Sequence, residues 1–147
     1  MEEPLISFAR KLAADLSEHR LPNLENELSK VFRRLSEEEQ LEIILLLMKK
    51  NVRAAAAIAT RGHFPVGHQQ LLLQIVLDSG ETNAIKVMVR DVFARRMSAN
   101  VFARCLRRNM SQLPKSVHFA AYYFLGAKKT DPKTYAMLQK LHEETRP

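Results

Sequence analysis

Proline and glycine divide this chain into short apolar segments, and that division limits the folds that it can adopt. All six prolines fall between such segments or in their first turns: Pro4, Pro22, Pro65, Pro114, Pro132 and Pro147. Within the segments apolar residues recur at spacings of three and four, as in Leu24, Leu28, Val31 and Leu35. Proline lacks the N–H that a helix interior needs, so each proline favours a helix boundary. The pattern predicts an all-α fold without strands.

The segments form a regular series. We expect about nine helices, over residues 4–19, 22–35, 37–50, 52–61, 67–78, 81–97, 99–111, 115–127 and 132–145. The odd-numbered helices begin 30 to 33 residues apart, which is typical of helical-hairpin repeats. The chain is therefore predicted to be a single helical-repeat domain over residues 1–147. Its architecture would be an antiparallel stack of helix hairpins, a short right-handed α-solenoid.

Two local patterns support these helices. Ser36 is followed three residues later by Glu39, the spacing of a capping box, so a helix is expected to begin there. On the second helix of three hairpins a small residue precedes an apolar one by four, which suits close helix packing. The three pairs are Ala54 with Ile58, Ala84 with Met88, and Ala120 with Phe124.

The sequence VFAR occurs twice, beginning at Val92 and at Val101. Nine residues at about 100° each would place the two copies on opposite sides of one continuous helix. A break at residues 97–100, with Ser98 or Asn100 as the cap, lets both copies face one core. The repetition is therefore interpreted as packing at a corner between two helices.

Residues 120–132 resemble the second helix and closing proline of a tetratricopeptide repeat at Ala120, Phe124, Ala127 and Pro132. Residues 134–138 are similar to the opening of a pentatricopeptide repeat. The preceding helix departs from the tetratricopeptide pattern, because it has arginines where that pattern has core residues. The resemblance implies a stack of helix pairs of the tetratricopeptide, pentatricopeptide or HEAT class, which are mostly binding platforms for proteins or, in the pentatricopeptide case, for RNA.

The net charge of +7 is concentrated in the second half of the chain. Residues 1–80 carry 10 basic and 11 acidic side chains, whereas residues 81–147 carry 13 and 5. This excess favours an acidic partner, which can be a protein segment, a nucleic acid or a membrane surface. A solvated basic face that binds nothing is the alternative.

An arginine ridge is the predicted centre of this basic surface. Arg104, Arg107 and Arg108 lie opposite the apolar side of their helix, and planar guanidinium groups suit carboxylates and phosphates. The predicted partner-binding residues are these three arginines together with Lys86, Arg90 and Lys115.

Other chemically notable side chains fit structural roles better than catalytic ones. His63 and His68 supply only two of the ligands that a zinc site needs, so no metal or cofactor is expected. Cys105 lies on an apolar stripe, and His118 is interpreted as a hydrogen-bonded packing residue. The aromatic run from Phe119 to Phe124 is expected to be core, with Tyr122 its exposed member. No small-molecule substrate is evident and no enzymatic activity is expected.

Together these features predict a non-enzymatic protein-interaction or scaffold module whose basic half binds an acidic partner segment. An RNA- or DNA-binding helical repeat that uses the same arginines is one alternative. A homo-oligomerising structural subunit is another, and it requires that apolar surface such as helix residues 41–48 be exposed. The lone cysteine and the acidic N-terminus predict an intracellular protein, cytoplasmic or nuclear and not secreted. The longest apolar run is too short for a membrane span.

Overall fold

The computed structural model of the chain describes residues 4–18 and 22–147, and these residues contain nine helices and no strand. The helices are α1 (Leu5–Glu18), α2 (Pro22–Phe32), α3 (Glu37–Met48), α4 (Val52–Ala59), α5 (Val66–Ser79), α6 (Thr82–Met88, continued through Val89–Phe93 and Ala94–Arg96), α7 (Ala99–Asn109), α8 (Pro114–Ala127) and α9 (Pro132–Glu144). The all-α prediction is confirmed. The last residue of the predicted helix 4–19 lies outside the described residues.

The chain divides into two compact units, Met1–His68 and Gln69–Pro147. Helices α1 to α4 belong to the first unit, and α6 to α9 belong to the second. Most of α5 belongs to the second unit. The single domain over residues 1–147 and the right-handed solenoid stay predictions.

Among the described residues, no helix has both the length and the apolar character needed to cross a membrane.

Side-chain caps fix where several helices begin. The Ser36 hydroxyl accepts from the Glu39 N–H at 3.2 Å, and the Glu39 carboxylate accepts from the Ser36 N–H at 2.9 Å, which confirms the capping box at α3. The Ser98 hydroxyl accepts from the Val101 N–H at 3.2 Å, so the predicted break between α6 and α7 is present. At α9, hydrogen bonds donated by the Thr134 hydroxyl and by the Thr134 N–H hold the pKa of the Asp131 carboxyl below its usual value.

In the first unit, α1 packs against α2 and α3, and α4 packs against α2 and α3. The rings of Phe32 and Phe64 are both buried, with centroids 6.2 Å apart. Ala54 and Ile58 on α4 are fully buried, as the small-and-apolar pairing predicts. The apolar residues of these helices therefore form a core of their own.

A buried glutamine joins three segments of the first unit. Gln40 on α3 donates from Nε2 to the carbonyl oxygens of Phe32 at 3.0 Å and Leu35 at 3.3 Å. Its Oε1 accepts from the His63 N–H at 2.8 Å. A Cβ at Gly62 would lie 2.5 Å from the Phe32 ring and 2.8 Å from Gln40 Oε1, so only glycine fits beside this glutamine. One buried amide group thus hydrogen-bonds to backbone groups near the end of α2 and in the loop that follows α4.

The second unit has its core around α8, which packs against α6, α7 and α9. Phe124 stacks on Phe102 of α7 with ring centroids 4.1 Å apart, and Phe93 of α6 lies 6.5 Å from Phe102. All three rings are fully buried. Cys105 is also buried, which confirms its place on the apolar side of α7.

The helix predicted over residues 81–97 contains a turn of π-helix at Val89–Phe93. The buried positions Val89, Val92 and Phe93 keep the three-and-four spacing of an ordinary α-helix, so the sequence pattern gives no sign of this turn. The turn carries exposed Arg90. Single π turns are frequent at functional sites.

We expect Gln40→Leu to lower the free energy of unfolding of the first unit by about 2–3 kcal/mol, because three backbone groups lose their buried partner. Urea denaturation followed by circular dichroism measures this change. The control Glu38→Gln alters an exposed side chain on the same helix and should change stability by less than about 0.5 kcal/mol. A loss for Gln40→Leu no larger than that of the control would contradict the role given to this glutamine.

Candidate functional site

Three helices of the second unit line an open cavity of about 540 Å³. Its walls carry two cations, three tyrosines and a histidine, which are Lys86, Arg90, Tyr122, Tyr123, Tyr135 and His142. Within the described part of the chain, no acidic side chain lines it. Its volume falls in the range of small-ligand pockets, about 300–1,000 Å³.

Each helix presents its lining residues one turn apart. Lys86 and Arg90 are four residues apart on α6, and Tyr122 and Gly126 are four apart on α8. On α9 the lining positions 135, 139 and 142 have the spacing of one helix face. The cavity therefore follows from three helix faces that converge, not from a loop.

The two cations are held in different ways. The Lys86 ammonium lies 6.0 Å from the centroid of the Tyr123 ring, within reach of a cation–π interaction. Arg90 donates from Nε and Nη2 to the carboxylate of Asp91 at 3.3 and 3.2 Å. This ion pair raises the pKa of Arg90 above its usual value and orients the guanidinium group. Lys86 makes no ion pair with the described residues, so it supplies the uncompensated positive charge of the cavity.

Tyrosine rings at the rim remain accessible. Tyr122 is 57% exposed and Tyr135 is 49% exposed, which makes them two of the largest exposed apolar surfaces of the second unit. The exposure of Tyr122 and the burial of Phe124 confirm the predicted division of this aromatic run. Phe119 and Tyr123 are half-buried, so the run is not uniformly core.

Two histidines, His118 on α8 and His142 on α9, link these helices beside the cavity, and we call this pair the histidine clasp. Nδ1 of His118 lies 2.6 Å from the carbonyl oxygen of His142, and Nδ1 of His142 lies 3.0 Å from the carbonyl oxygen of His118. The two rings are stacked, with centroids 4.0 Å apart and planes inclined by 17°. His118 is thus a hydrogen-bonded packing residue, as predicted, and its partner His142 also lines the cavity.

The structure divides the predicted arginine ridge. Arg104, Arg107 and Arg108 are all exposed. Arg104 and Arg108 line a groove with Gln70 of α5, whereas Arg107 lines another groove against α9. A single helix gives the angle between these side chains but not the positions of its neighbours, and α7 has different neighbours on its two sides.

The other predicted site residues are also separated. Lys86 and Arg90 line the tyrosine cavity, and Lys115 is exposed in the first turn of α8. Arg108 also donates from Nη2 to the sulfur of Cys105 at 3.2 Å, so its side chain lies back along its own helix. From the sequence we predicted Lys86 and Arg90 as site residues and Tyr122 as exposed, but not that Tyr135 and His142 line the same cavity. The signal for these two residues is the helix face that they share with residue 139.

Comparisons with protein-family models, curated proteins and solved structures found no significant match for the chain. The resemblance of residues 120–132 to a tetratricopeptide repeat therefore rests on the residues alone. Ala120 and Phe124 are buried, whereas Ala127 is exposed. Membership of a repeat class stays a prediction.

We expect His118→Phe to lower the free energy of unfolding of the second unit by about 1 kcal/mol. Phenylalanine can still stack on His142 but cannot donate to its carbonyl group. The control Tyr122→Phe alters only an exposed hydroxyl and should leave stability within about 0.5 kcal/mol of the original protein. Equal stabilities of the two variants in chemical denaturation would show that the clasp does not stabilise the packing of α8 against α9.

Proposed function

We propose that the second unit is a non-enzymatic interaction module that binds an acidic segment of a partner protein. The supporting observation is the tyrosine cavity, in which Lys86 and Arg90 lie beside three tyrosines with no acidic side chain among the described lining residues. An aromatic or large apolar side chain of the partner enters the cavity. Carboxylates flanking that side chain pair with the two cations. Aromatic anchors and charge pairs of this kind are the usual sources of affinity and specificity in interfaces.

The electrostatics of the cavity favour a segment of modest charge. Arg90 is largely compensated by Asp91, and Lys86 is not compensated. The Asp91 carboxylate also holds the Arg90 guanidinium in place, so less side-chain entropy is lost when a carboxylate binds to its free N–H groups. A peptide with one or two carboxylates beside an aromatic ring matches this arrangement better than a densely charged polyanion.

The remaining arginines have a separate role in this proposal. Arg104, Arg107 and Arg108 lie outside the cavity, together with Lys115. They add to the positive field of the second half of the chain, which attracts an acidic segment before it docks. Charges outside a binding site act mainly on the association rate, whereas contacts within it act on dissociation.

Nucleic-acid binding is the second candidate function, and the exposed rings of Tyr122 and Tyr135 favour it. Unpaired bases stack on exposed aromatic side chains, and nearby cations contact phosphates. This candidate predicts retention on heparin or on mixed RNA at low salt, with an affinity that falls steeply as salt rises. A protein that passes through both columns at low salt would not be a nucleic-acid-binding protein.

A homo-oligomeric role has less support in the described residues. In the apolar segment 41–48, Ile43, Ile44, Leu47 and Met48 are buried, and Leu46 is 40% exposed. A homo-oligomer of this kind requires an exposed apolar helix surface. In this segment, Leu46 is the one large apolar side chain that is exposed. Light scattering of the isolated protein tests it directly, since a monomeric mass would contradict it.

We expect the double variant Lys86→Gln, Arg90→Gln to bind an acidic, phenylalanine-containing peptide about tenfold more weakly than the original protein, because both cavity charges are lost. Fluorescence anisotropy with a rhodamine-labelled peptide measures the affinity. The control Arg95→Gln, Lys133→Gln removes the same net charge from exposed positions and should change the affinity by less than about twofold. Equal losses in the two variants would mean that net charge, and not the cavity, determines binding.

We expect the triple variant Arg104→Ala, Arg107→Ala, Arg108→Ala to keep its thermal midpoint within about 2 °C, because all three side chains are exposed. Its affinity for the peptide should fall by no more than about threefold, through a slower association rate at low salt, because the three side chains lie outside the cavity. Stopped-flow mixing separates the two rates. A loss confined to faster dissociation would place these arginines in the docked interface instead.

A further inference from the structure

A second, smaller groove adjoins the tyrosine cavity at the end of α8. The groove has a volume of about 330 Å³. Four residues line both the groove and the cavity, namely Leu125, Gly126, Ala127 and Tyr135. The remaining lining residues of the groove belong to the segment between α8 and α9, and they are Lys128, Lys129 and Thr130. Because both concavities share the last turn of α8, a chain that leaves the cavity over this turn enters the groove.

Gly126 lies at this junction, and neither its backbone nor its packing requires a glycine. Apart from its chain neighbours and its own helix backbone, no described atom lies within 4 Å of a Cβ built on Gly126. Its φ lies outside the left-handed region. Gly62 is the contrast, because a Cβ there would lie 2.5 Å from the Phe32 ring. A glycine weakens a helix relative to alanine. What Gly126 provides in return is a surface free of side chain between the cavity and the groove.

The groove has the same charge character as the cavity. Lys129 is exposed and makes no ion pair or hydrogen bond with the described residues. The Lys128 ammonium donates to the Met97 carbonyl oxygen at 3.0 Å, which holds it in place without neutralising its charge. In the part of the chain that the structure describes, no acidic side chain lines the groove. Asp131, which follows the groove in sequence, accepts from Thr134 with both carboxylate oxygens. The groove therefore favours an anion.

A peptide can occupy both concavities only if its main chain passes close to the last turn of α8. Tyr135, which is 49% exposed, is a wall common to both. One helical turn is about 5.4 Å long, and three residues of extended chain span about 10 Å. A carboxylate about three residues from an aromatic side chain in the cavity therefore reaches the groove. A side chain at position 126 would occupy the space over which the main chain passes.

We propose that the cavity and the groove are two subsites of one extended site, and that Gly126 is the specificity-determining residue at which the partner segment crosses α8. This inference rests on the proposed function, because the aromatic anchor and its flanking carboxylates occupy the tyrosine cavity. The extended site adds a requirement to the partner. It needs a further carboxylate, about three residues from the anchor, which pairs with Lys129. The occupant is thus an extended acidic segment of a protein.

Three rhodamine-labelled peptides test the extended site on the full chain by fluorescence anisotropy. The short peptide has one phenylalanine flanked by glutamates, and each longer peptide adds a glutamate pair about three residues beyond it, on the N-terminal or the C-terminal side. We expect one longer peptide to bind about fivefold more tightly than the short one, because a second charge pair forms. Glutamines in place of the added pair should abolish this gain. Equal affinities for the three acidic peptides would overturn the extended site.

The variant Gly126→Leu separates the crossing from folding. Its thermal midpoint should be equal to or higher than that of the original protein, because leucine favours a helix and the Cβ has open space. It should nevertheless bind the longer peptide no more tightly than the short one. Gly67→Leu is the matched control, since Gly67 is also a helical glycine with open space at its Cβ but lines neither concavity. This control should keep the whole gain.

A charge variant tests the second subsite independently. Lys129→Gln should remove most of the gain, whereas Arg95→Gln, which removes an exposed cation outside both concavities, should keep it. If Gly126→Leu is less stable than the original protein, Gly126→Ala takes its place and should lose about half of the gain.

Two results would overturn the extended site while leaving the proposed function standing. One is a full gain in the position 126 variant, and the other is a full gain in Lys129→Gln. Failure of the original protein to bind any of the three acidic peptides would overturn both the extended site and the proposed function.

Discussion

The stacking of Phe124 on Phe102 is the contact on which the geometry of the second unit depends. These buried rings, 4.1 Å apart, fix the rotation of α8 about its own axis. Once that rotation is fixed, Tyr122 and Tyr123 must face away from the stack, and they become walls of the cavity. The histidine clasp then holds α9 against the same helix, so that Tyr135 and His142 complete the opposite wall. Core packing thus positions side chains that are not themselves in the core.

The basic side chains of the second half do not form the single positive surface that a count of charges along the sequence suggests. The second half of the chain carries 13 basic and 5 acidic side chains, yet its cations lie on separate surfaces. Some have local partners, as Arg90 has Asp91, and Lys128 donates to the carbonyl oxygen of Met97 at 3.0 Å. An exposed cation without a cavity attracts any anion weakly, whereas a cation beside an aromatic wall can select a ligand by shape as well as by charge. For this reason we propose the cavity as the binding site, with the exposed arginines attracting the partner before it docks.

Much of the helical fold was predictable from sequence, because caps and periodicity act within one or two turns. The capping box at Ser36, the cap at Ser98 and the small-and-apolar pairs are present as expected. The π turn at Val89–Phe93 was not predictable, since its buried positions repeat as in an α-helix. The cavity was not predictable either, because it joins residues as far apart in sequence as Lys86 and His142. Helix angles place side chains about one axis, but they do not say which neighbouring helix each side chain meets.

The most direct test of the central claim is to map where an acidic, phenylalanine-containing peptide binds, by following backbone amide signals of the full chain in NMR titrations. The account predicts saturable shifts that cluster on the cavity-facing turns of α6, α8 and α9, with the largest changes near Arg90, Tyr122 and His142. Shifts that concentrate around Arg104 and Arg108, or that fall in the first unit, would contradict it. So would an absence of saturable shifts at millimolar peptide.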